Sequence, residues 1–395
     1  MMSWLLLAAL TALAPLRAAS HSRALPPGPR HLGNDSIVRL GGTLGLTGEL
    51  SAMSRASWRG LELLAEHVNT TGVFRGPAGS LRLRLLIEDD RGDPRRVEEV
   101  YQRMADLDQV GFFLGPYSPP LAAVAAQIGN STEILTMMFG PTSPSLYRQG
   151  YRTLFTADVS AADYMTHALE LSKLMGAGSV ALLWEANAFS TAVCGGAADH
   201  AESLGLTVLA RMKLQADGIT SQVRHLKALG PDVLIGCGGA RTAVQIVVSS
   251  RALSFNPQGM VLSIGSASAF VHSVGASNAN YIMSPVSWIP YLNLSCPVFG
   301  STRGFVEAYQ RRWNETPTYQ SAAAAAGGIA LLAAIEAAGT LETQAVRSAM
   351  LNLTVETFYA RLSFHRNGTR RGAKVLTEQV QPLGADRPPS ERYLE

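Results

Sequence analysis

From Val38 onward the chain repeats one pattern: a short apolar run, a turn bearing glycine or proline, then a stretch whose apolar residues recur at helical spacing. The first unit runs from an apolar strand at 38–44 through Gly45-Leu46-Thr47-Gly48 to an amphipathic helix at 56–69. A second strand at 81–88 ends in Glu88-Asp89-Asp90 and leads through Asp93-Pro94 into a helix at 94–107. Strands follow at 111–114, 133–138 and 151–156, with a helix at 119–129. After Asp158 the same grammar restarts, with helices at 161–175, 190–204, 220–229 and 241–252 alternating with strands at 179–184, 207–211, 233–236 and 260–264. Short apolar strands separated by helices require a parallel sheet covered on both faces, and ligands of such sheets lie where strands stop. An extended crossing at 282–288, helices at 299–312, 320–338 and 341–351, and a hairpin-like pair at 358–364 and 374–379 complete the chain. Asn367-Gly368 suits the hairpin's turn. The predicted class is α/β, two doubly wound parallel-sheet lobes.

Composition supports two lobes: 395 residues with 47% apolar and 16% charged can bury a large core. A net charge of +3, without a basic run interleaved with aromatics, excludes a nucleic-acid stripe. The apolar run at 4–13 followed by Ala18-Ala19-Ser20 predicts a signal peptide over 1–20. Residues 21–36 read as a flexible lead-in and 382–395 as a polar tail. The Ala/Gly-rich stretch at 322–335, stopped by Glu336, reads as a buried helix rather than a membrane span.

Seven Asn-X-Ser/Thr sites begin at Asn34, Asn69, Asn130, Asn293, Asn314, Asn352 and Asn367, out of eleven asparagines. Chance would give about one or two, so the excess predicts a secreted or extracellular glycoprotein of the eukaryotic secretory pathway. Three cysteines permit at most one bridge. Cys194 and Cys237 each follow a predicted strand of the same lobe, and both pairing and buried free thiols are open to them.

Several motifs in order carry a resemblance. They are Gly45-x-x-Gly48, Asp89-Asp90-x-x-Asp93-Pro94, Gly115-Pro116-Tyr117-Ser118, Thr142-Ser143-Pro144-Ser145-Leu146 and Pro231-Asp232-Val233-Leu234, followed by Trp288-Ile289-Pro290, Phe305-x-x-x-Tyr309, Pro317 and Ala334-x-Glu336-Ala337-Ala338-Gly339. Phe358-Tyr359-Ala360-Arg361-Leu362-x-Phe364 comes last. Together, over about 38–380, they resemble the type I periplasmic binding proteins, in the leucine/isoleucine/valine-binding branch of transporter-associated receptors. Receptor ligand-binding ectodomains share that fold. The resemblance implies two lobes joined by three crossovers, one of 37–160 plus 284–354 and the other of 161–283 plus 355–381. They would close on a small-molecule ligand, with a membrane permease or receptor as partner.

The resemblance also implies a carboxylate grip where the third strand meets its helix and at the end of the next strand. Ser118 and Thr142 are the candidates, with Gly140 and Pro141 alongside; uncompensated helix N–H groups favour an anion there. The usual gripping serine position is Pro119 here, and Ser118, one residue earlier, suits an N-cap. The ammonium side departs from the family. Gly265-Ser266-Ala267-Ser268 stands where an acid is usual, and Gly238-Gly239-Ala240 where a tyrosine often follows. Trp184, Glu185 and Phe189 are the alternative candidates, with Gly239 and Ser266 nearby, since a buried unpaired ammonium is costly.

Enzymatic readings find little support. The first turn lacks the Gly-x-Gly-x-x-Gly spacing, and no Gly-x-Ser-x-Gly elbow, phosphate loop or His-Glu-x-x-His pair occurs. Glu88 and Asp90 would share a strand face, but the acidic end reads as loop architecture before metal binding. The histidines fall singly on helical stretches. The expected activity is solute binding for uptake or sensing, without chemistry, cofactor or metal; an enzyme on this architecture and an adhesive glycoprotein are the weaker readings.

Overall fold

The computed structural model describes residues 37–215, 218–266 and 268–382. The expected signal peptide, the lead-in with Asn34, Ala267 and all but the first residue of the expected tail lie outside the described residues.

The chain opens with β1 (Ile37–Leu44), α1 (Ser51–Thr71), a minimal hairpin β2 (Arg75–Gly76) and β3 (Gly79–Ser80), and β4 (Arg82–Asp89). Next come α2 (Pro94–Asp106), β5 (Phe112–Leu114), α3 (Pro119–Ser131), β6 (Thr136–Met138), α4 (Pro144–Tyr147) and β7 (Leu154–Thr156). The five main strands form a parallel sheet in the order β4-β1-β5-β6-β7. Side chains alternate across it as the period of two requires. Leu114, Met137 and Phe155 enter a core with α1, while Phe113, Met138 and Leu154 enter one with α2 and α3.

A short 3-10 turn (Ala161–Asp163) leads into α5 (Thr166–Leu174), β8 (Ser179–Trp184), α6 (Ala188–Ser203), β9 (Thr207–Lys213) and α7 (Ile219–Leu229). Then follow β10 (Val233–Cys237), α8 (Ala240–Ala252), β11 (Gly259–Leu262), α9 (Ser268–Val274), α10 (Ala276–Ala279) and β12 (Ile282–Val286). The remaining elements are β13 (Ser295–Cys296), β14 (Gly300–Ser301), α11 (Thr302–Trp313), α12 (Tyr319–Ala338), α13 (Thr343–Asn352), β15 (Val355–Glu356), β16 (Arg361–Leu362) and β17 (Leu376–Gln379). The second sheet has the order β17-β12-β11-β10-β8-β9, parallel except for β17 on β12.

In α12 the residues from Ser321 to Leu332 are buried, and the helix packs on α1 and α13. It is long and apolar enough to cross a membrane by composition, yet it lies inside the protein, as its Ala/Gly content predicts. Small residues let α1 approach: a Cβ on Gly60 would stand 2.1 Å from the Ser321 carbonyl oxygen.

Two expectations change at the C-terminal part. The segment 355–381 was expected in the second lobe, but Phe358, Tyr359, Leu362 and Phe364 are buried in the first sheet's core. The Phe358 carbonyl accepts from Trp288 Nε1 and from Thr302 Oγ1, each at 2.9 Å. Only β17 joins the second sheet, so 374–379 is not the partner strand of 358–364. The turn at Asn367-Gly368 instead closes a local bridge between Phe364 and Arg370. Likewise residues 284–286, expected in the first lobe, extend β12 and pair with β17.

Cys194 on α6 and Cys237 at the end of β10 form a disulfide with Cα atoms 6.0 Å apart, and Cys296 is a buried free thiol. The bridge fastens a helix to the sheet it covers.

Candidate functional site

In both sheets the strand order reverses at one point, between β1 and β5 and between β8 and β10. Loops diverge there, and crevices form outside the carboxyl ends of the strands. At the first such point the acidic end of β4 mostly serves loop structure, although Asp90 Oδ2 is unpartnered among the described residues. Asp89 accepts from the Leu46, Thr47 and Arg91 amides at 2.9, 3.3 and 3.0 Å and from Thr47 Oγ1 at 2.7 Å. Glu88 pairs with Arg96 at 2.8 Å and also with Arg103. Asp90 is fully buried and accepts from the Gly92 amide at 2.9 Å. These carboxylates brace the β1–α1 and β4–α2 turns, as the sequence suggested.

Beyond β5 and β6 the groups are left free. Ser118 is the N-cap of α3, but its side chain makes no capping bond. Pro119 and Pro120 begin the helix and supply no N–H, so this helix start offers an anion chiefly the Ser118 hydroxyl. Gly140 adopts a φ of +121° against Tyr117, whose ring would stand 2.8 Å from any Cβ there. The Pro141 carbonyl, expected near the ligand, is taken by the Tyr147 hydroxyl at 3.0 Å. Thr142 is 2% exposed, and its Oγ1 has no hydrogen-bond partner among the described residues. Its own carbonyl accepts from the Ala161 amide at 2.9 Å, tying this strand end to the first crossover.

Sequence reasoning missed the polar aromatic cluster around Thr142. Tyr164, just after the 3-10 turn, turns its hydroxyl toward Thr142 and Ser287. Its ring meets Phe189 edge-on at 5.4 Å. Tyr117 and Tyr319 share a hydroxyl–hydroxyl bond of 2.9 Å. Asp158, 1% exposed in the first crossover, accepts from the Val159 amide at 2.8 Å and from Tyr359 at 3.2 Å, and its Oδ2 is unpartnered. Burial pushes the Asp158 carboxyl up, opposed by the Val159 amide and the Arg370 charge. Burial also raises the phenols of Tyr117, Tyr164, Tyr319 and Tyr359, which stay neutral donors. These residues lie between positions 117 and 359, on loops and at the start of α12, and no local pattern connects them.

At the second reversal point Glu185 bonds to the neighbouring loop and helix start. Its Oε1 accepts from the Gly239 amide at 3.0 Å and from Thr242 Oγ1, and its Oε2 accepts from Asn187 at 2.9 Å. The carboxylate therefore serves the N-terminus of α8, where the helix dipole favours an anion. Glu185 was expected to face an ammonium and Gly239 a ligand; both are engaged with each other. Trp184 is half-buried against the second core. Ser266 lies beside Glu378 on β17, and burial raises that carboxyl against the Ser266 hydroxyl. The structure thus brings Thr142 and Phe189 together through Tyr164 and sets Ser118 and Gly140 at neighbouring strand ends.

Several of the expected glycosylation sites fall at helix ends. Asn69, Asn130 and Asn352 fall in the last turns of α1, α3 and α13, and Asn314 is the left-handed C-cap of α11. Asn69 brackets the Leu83 backbone at 3.0 and 2.7 Å, and Asn130 accepts from the Arg152 amide at 3.0 Å. Thr71 and Thr132 bond back to carbonyls four residues earlier. Asn367 holds its own turn through Thr369, while Asn293 is an exposed loop residue. Several of these Asn-X-Ser/Thr residues thus make structural bonds of their own.

The family model for "periplasmic binding protein" matches residues 37–381. The Leu/Ile/Val-binding protein homolog 8 of Brucella melitensis is 22% identical over 368 residues, covering 88% of this chain and 87% of that one. A leucine binding protein from Thermotoga maritima has a TM-score of 0.73 at 18% identity, covering 87% of this chain and 95% of its own. A leucine-, isoleucine-, valine-, threonine- and alanine-binding protein from Brucella ovis, in a closed conformation, has a TM-score of 0.77 at 15% identity, covering 90% and 93%. These bacterial relatives give no support to a eukaryotic secretory origin or a receptor ectodomain. The two-sheet α/β architecture is that of the solved binding proteins, and the chain belongs to the periplasmic binding protein family.

Proposed function

We propose that the crevice beyond β5 and β6 binds a small polar solute with a carboxylate, such as an amino acid, an amide or a related acid. The solute is held without chemistry, between lobes joined at the crossovers near 158, 287 and 370, by an exported protein that delivers it to a membrane permease. One observation carries the reading: the buried Thr142 hydroxyl has no hydrogen-bond partner among the described residues in the loop after β6, and Ser118, whose side chain makes no capping bond, follows the adjacent β5. A buried hydroxyl without a partner is costly, and an incoming carboxylate oxygen would satisfy it. The names of the relatives, which bind leucine, isoleucine and valine, support an amino-acid-like ligand. Tyr164 and Phe189 would cover the solute from the second lobe, with Trp184 and Ser266 further along the same crevice.

A thermal-shift screen of amino acids, amides, urea and short organic acids tests this. Stabilisation should follow mass action, about 2.7 kcal/mol at a hundredfold excess over Kd. No response across the panel would reject it.

A further inference from the structure

The acids near the strand ends are mostly spoken for. Glu88 and Asp89 serve the loops of the first sheet, Glu185 serves the start of α8, and Asp158 is 1% exposed in the first crossover. Glu378 on β17 is different. It stands opposite Ser284 of β12, whose Oγ accepts from the Gly265 amide at 3.0 Å, so it lies level with the loop that follows β11. That loop, from Ser263 to Ala267, has no acid of its own. The Ser266 hydroxyl turns toward the Glu378 carboxylate, and both residues are half-buried rather than sealed. The same two strands reach the proposed solute corner. Val286 pairs with Leu376, two residues or about 7 Å along β17 from Glu378. The Tyr164 hydroxyl turns toward both Thr142 and Ser287, the residue after Val286.

No basic side chain among the described residues acts on Glu378, and burial raises its carboxyl with only the Ser266 hydroxyl opposing. A half-buried carboxylate without a cation is costly, and a positive group arriving from the crevice relieves that cost. We infer that Glu378, together with the Ser266 hydroxyl, receives a cationic amine of the solute at the carboxyl end of β11. An ammonium suits the pair because it offers three donors and no acceptor. A metal ion does not: the pair supplies one carboxylate and one hydroxyl, and among the described residues no group of three or more His, Cys, Asp or Glu side chains could hold one. The inference rests on the proposed solute crevice. It narrows the ligand class to amino acids with a free amine, setting aside simple acids, amides and urea.

Titration calorimetry with near-isosteric pairs that differ only in amine against hydroxyl tests it: leucine against its α-hydroxy analogue, alanine against lactate, and γ-aminobutyrate against γ-hydroxybutyrate. The amine of at least one pair should bind about tenfold or more tighter than its hydroxy acid, the scale of a charge-assisted bond. Glu378→Gln should bring that ratio near one while leaving the hydroxy acid within about threefold, and Glu378→Asp should keep part of it. Glu185→Gln should leave the ratio as it is. Equal binding of amine and hydroxy acid overturns the inference, as does a ratio that survives Glu378→Gln or collapses in Glu185→Gln instead. In each of those cases the solute-binding reading still stands. Silence of every compound would reject that reading as well. A circular-dichroism melt of each variant confirms that the ratio is read on folded protein. A Glu378→Gln protein that melts earlier with its ratio intact would make Glu378 a brace for the β11 loop, which also overturns the inference.

Discussion

The Tyr359 hydroxyl donates to Asp158 Oδ1 at 3.2 Å across 201 residues of sequence, joining the first crossover to the segment that follows α13. Ser287, on the crossing after β12, also acts on the Asp158 carboxyl. One buried carboxylate therefore collects groups from all three strands of chain that run between the sheets. Protonation of this carboxyl is therefore linked to the segments that run between the sheets.

Burial raises the Asp158 carboxyl above its ordinary value of about 4. The native state then holds a proton that the unfolded chain has released, so this group's contribution to stability falls as pH rises from about 4 toward the raised value. Asp158→Asn lacks that titration. Urea unfolding from pH 4 to 7 should show the difference between the variant and the parent shifting in the variant's favour as pH rises. A pH-independent difference would mean that the carboxyl is not raised.

Thr142→Val keeps the side chain's shape and deletes an unpartnered buried hydroxyl. The empty protein should be as stable as the parent or up to about 1 kcal/mol more stable, while the affinity of any solute found in the screen drops about tenfold or more. Thr142→Ser should retain most binding. Unchanged affinity in the valine variant would move the site away from this strand end.

Glu185→Ala removes the acceptor of the Gly239 amide and the Thr242 hydroxyl. A loss of about 2 kcal/mol in denaturant unfolding is expected, by analogy with other lost helix caps. Solute affinity should change far less than in Thr142→Val. The opposite pattern, intact stability with collapsed affinity, would restore Glu185 as a ligand-facing acid.

Reduction of the Cys194–Cys237 bridge opens a loop of 43 residues. The chain-entropy description gives about 4 kcal/mol for a loop of that length. Thermal melts with and without reductant should differ by several degrees, and a Cys194→Ala, Cys237→Ala variant should match the reduced parent.

Gly60→Ala should destabilise by about 2 kcal/mol or more, because its Cβ would meet the Ser321 carbonyl at 2.1 Å and neither backbone can yield without parting α1 from α12.

Much of the architecture was readable along the chain. The strand at β1, the helix after Asp93-Pro94 and the Ala-rich α12 follow from local periodicity and capping, which act within a few residues. Asp93 indeed accepts from the Arg95 amide at 2.9 Å, and the helix begins at Pro94. Phe358–Phe364 was misplaced for the opposite reason: its apolar pattern says that it is buried but not in which of two cores. The bonds of Glu185 to the Gly239 amide and Thr242 were not readable either, because a carboxylate after a strand looks the same whether it meets a ligand or a helix start.

By itself, then, the sequence determined the alternation of strands and helices, the doubly wound class and the loops where binding could occur, since each depends on neighbours in the chain. Only the tertiary structure decided which groups remain idle there. Thr142 and Arg370 lie 228 positions apart (370 − 142) and meet around one cavity because the Asn367 turn folds back beside the first crossover. Whether a polar group is satisfied depends on every residue that reaches it through space, and that sum exists only in the folded chain.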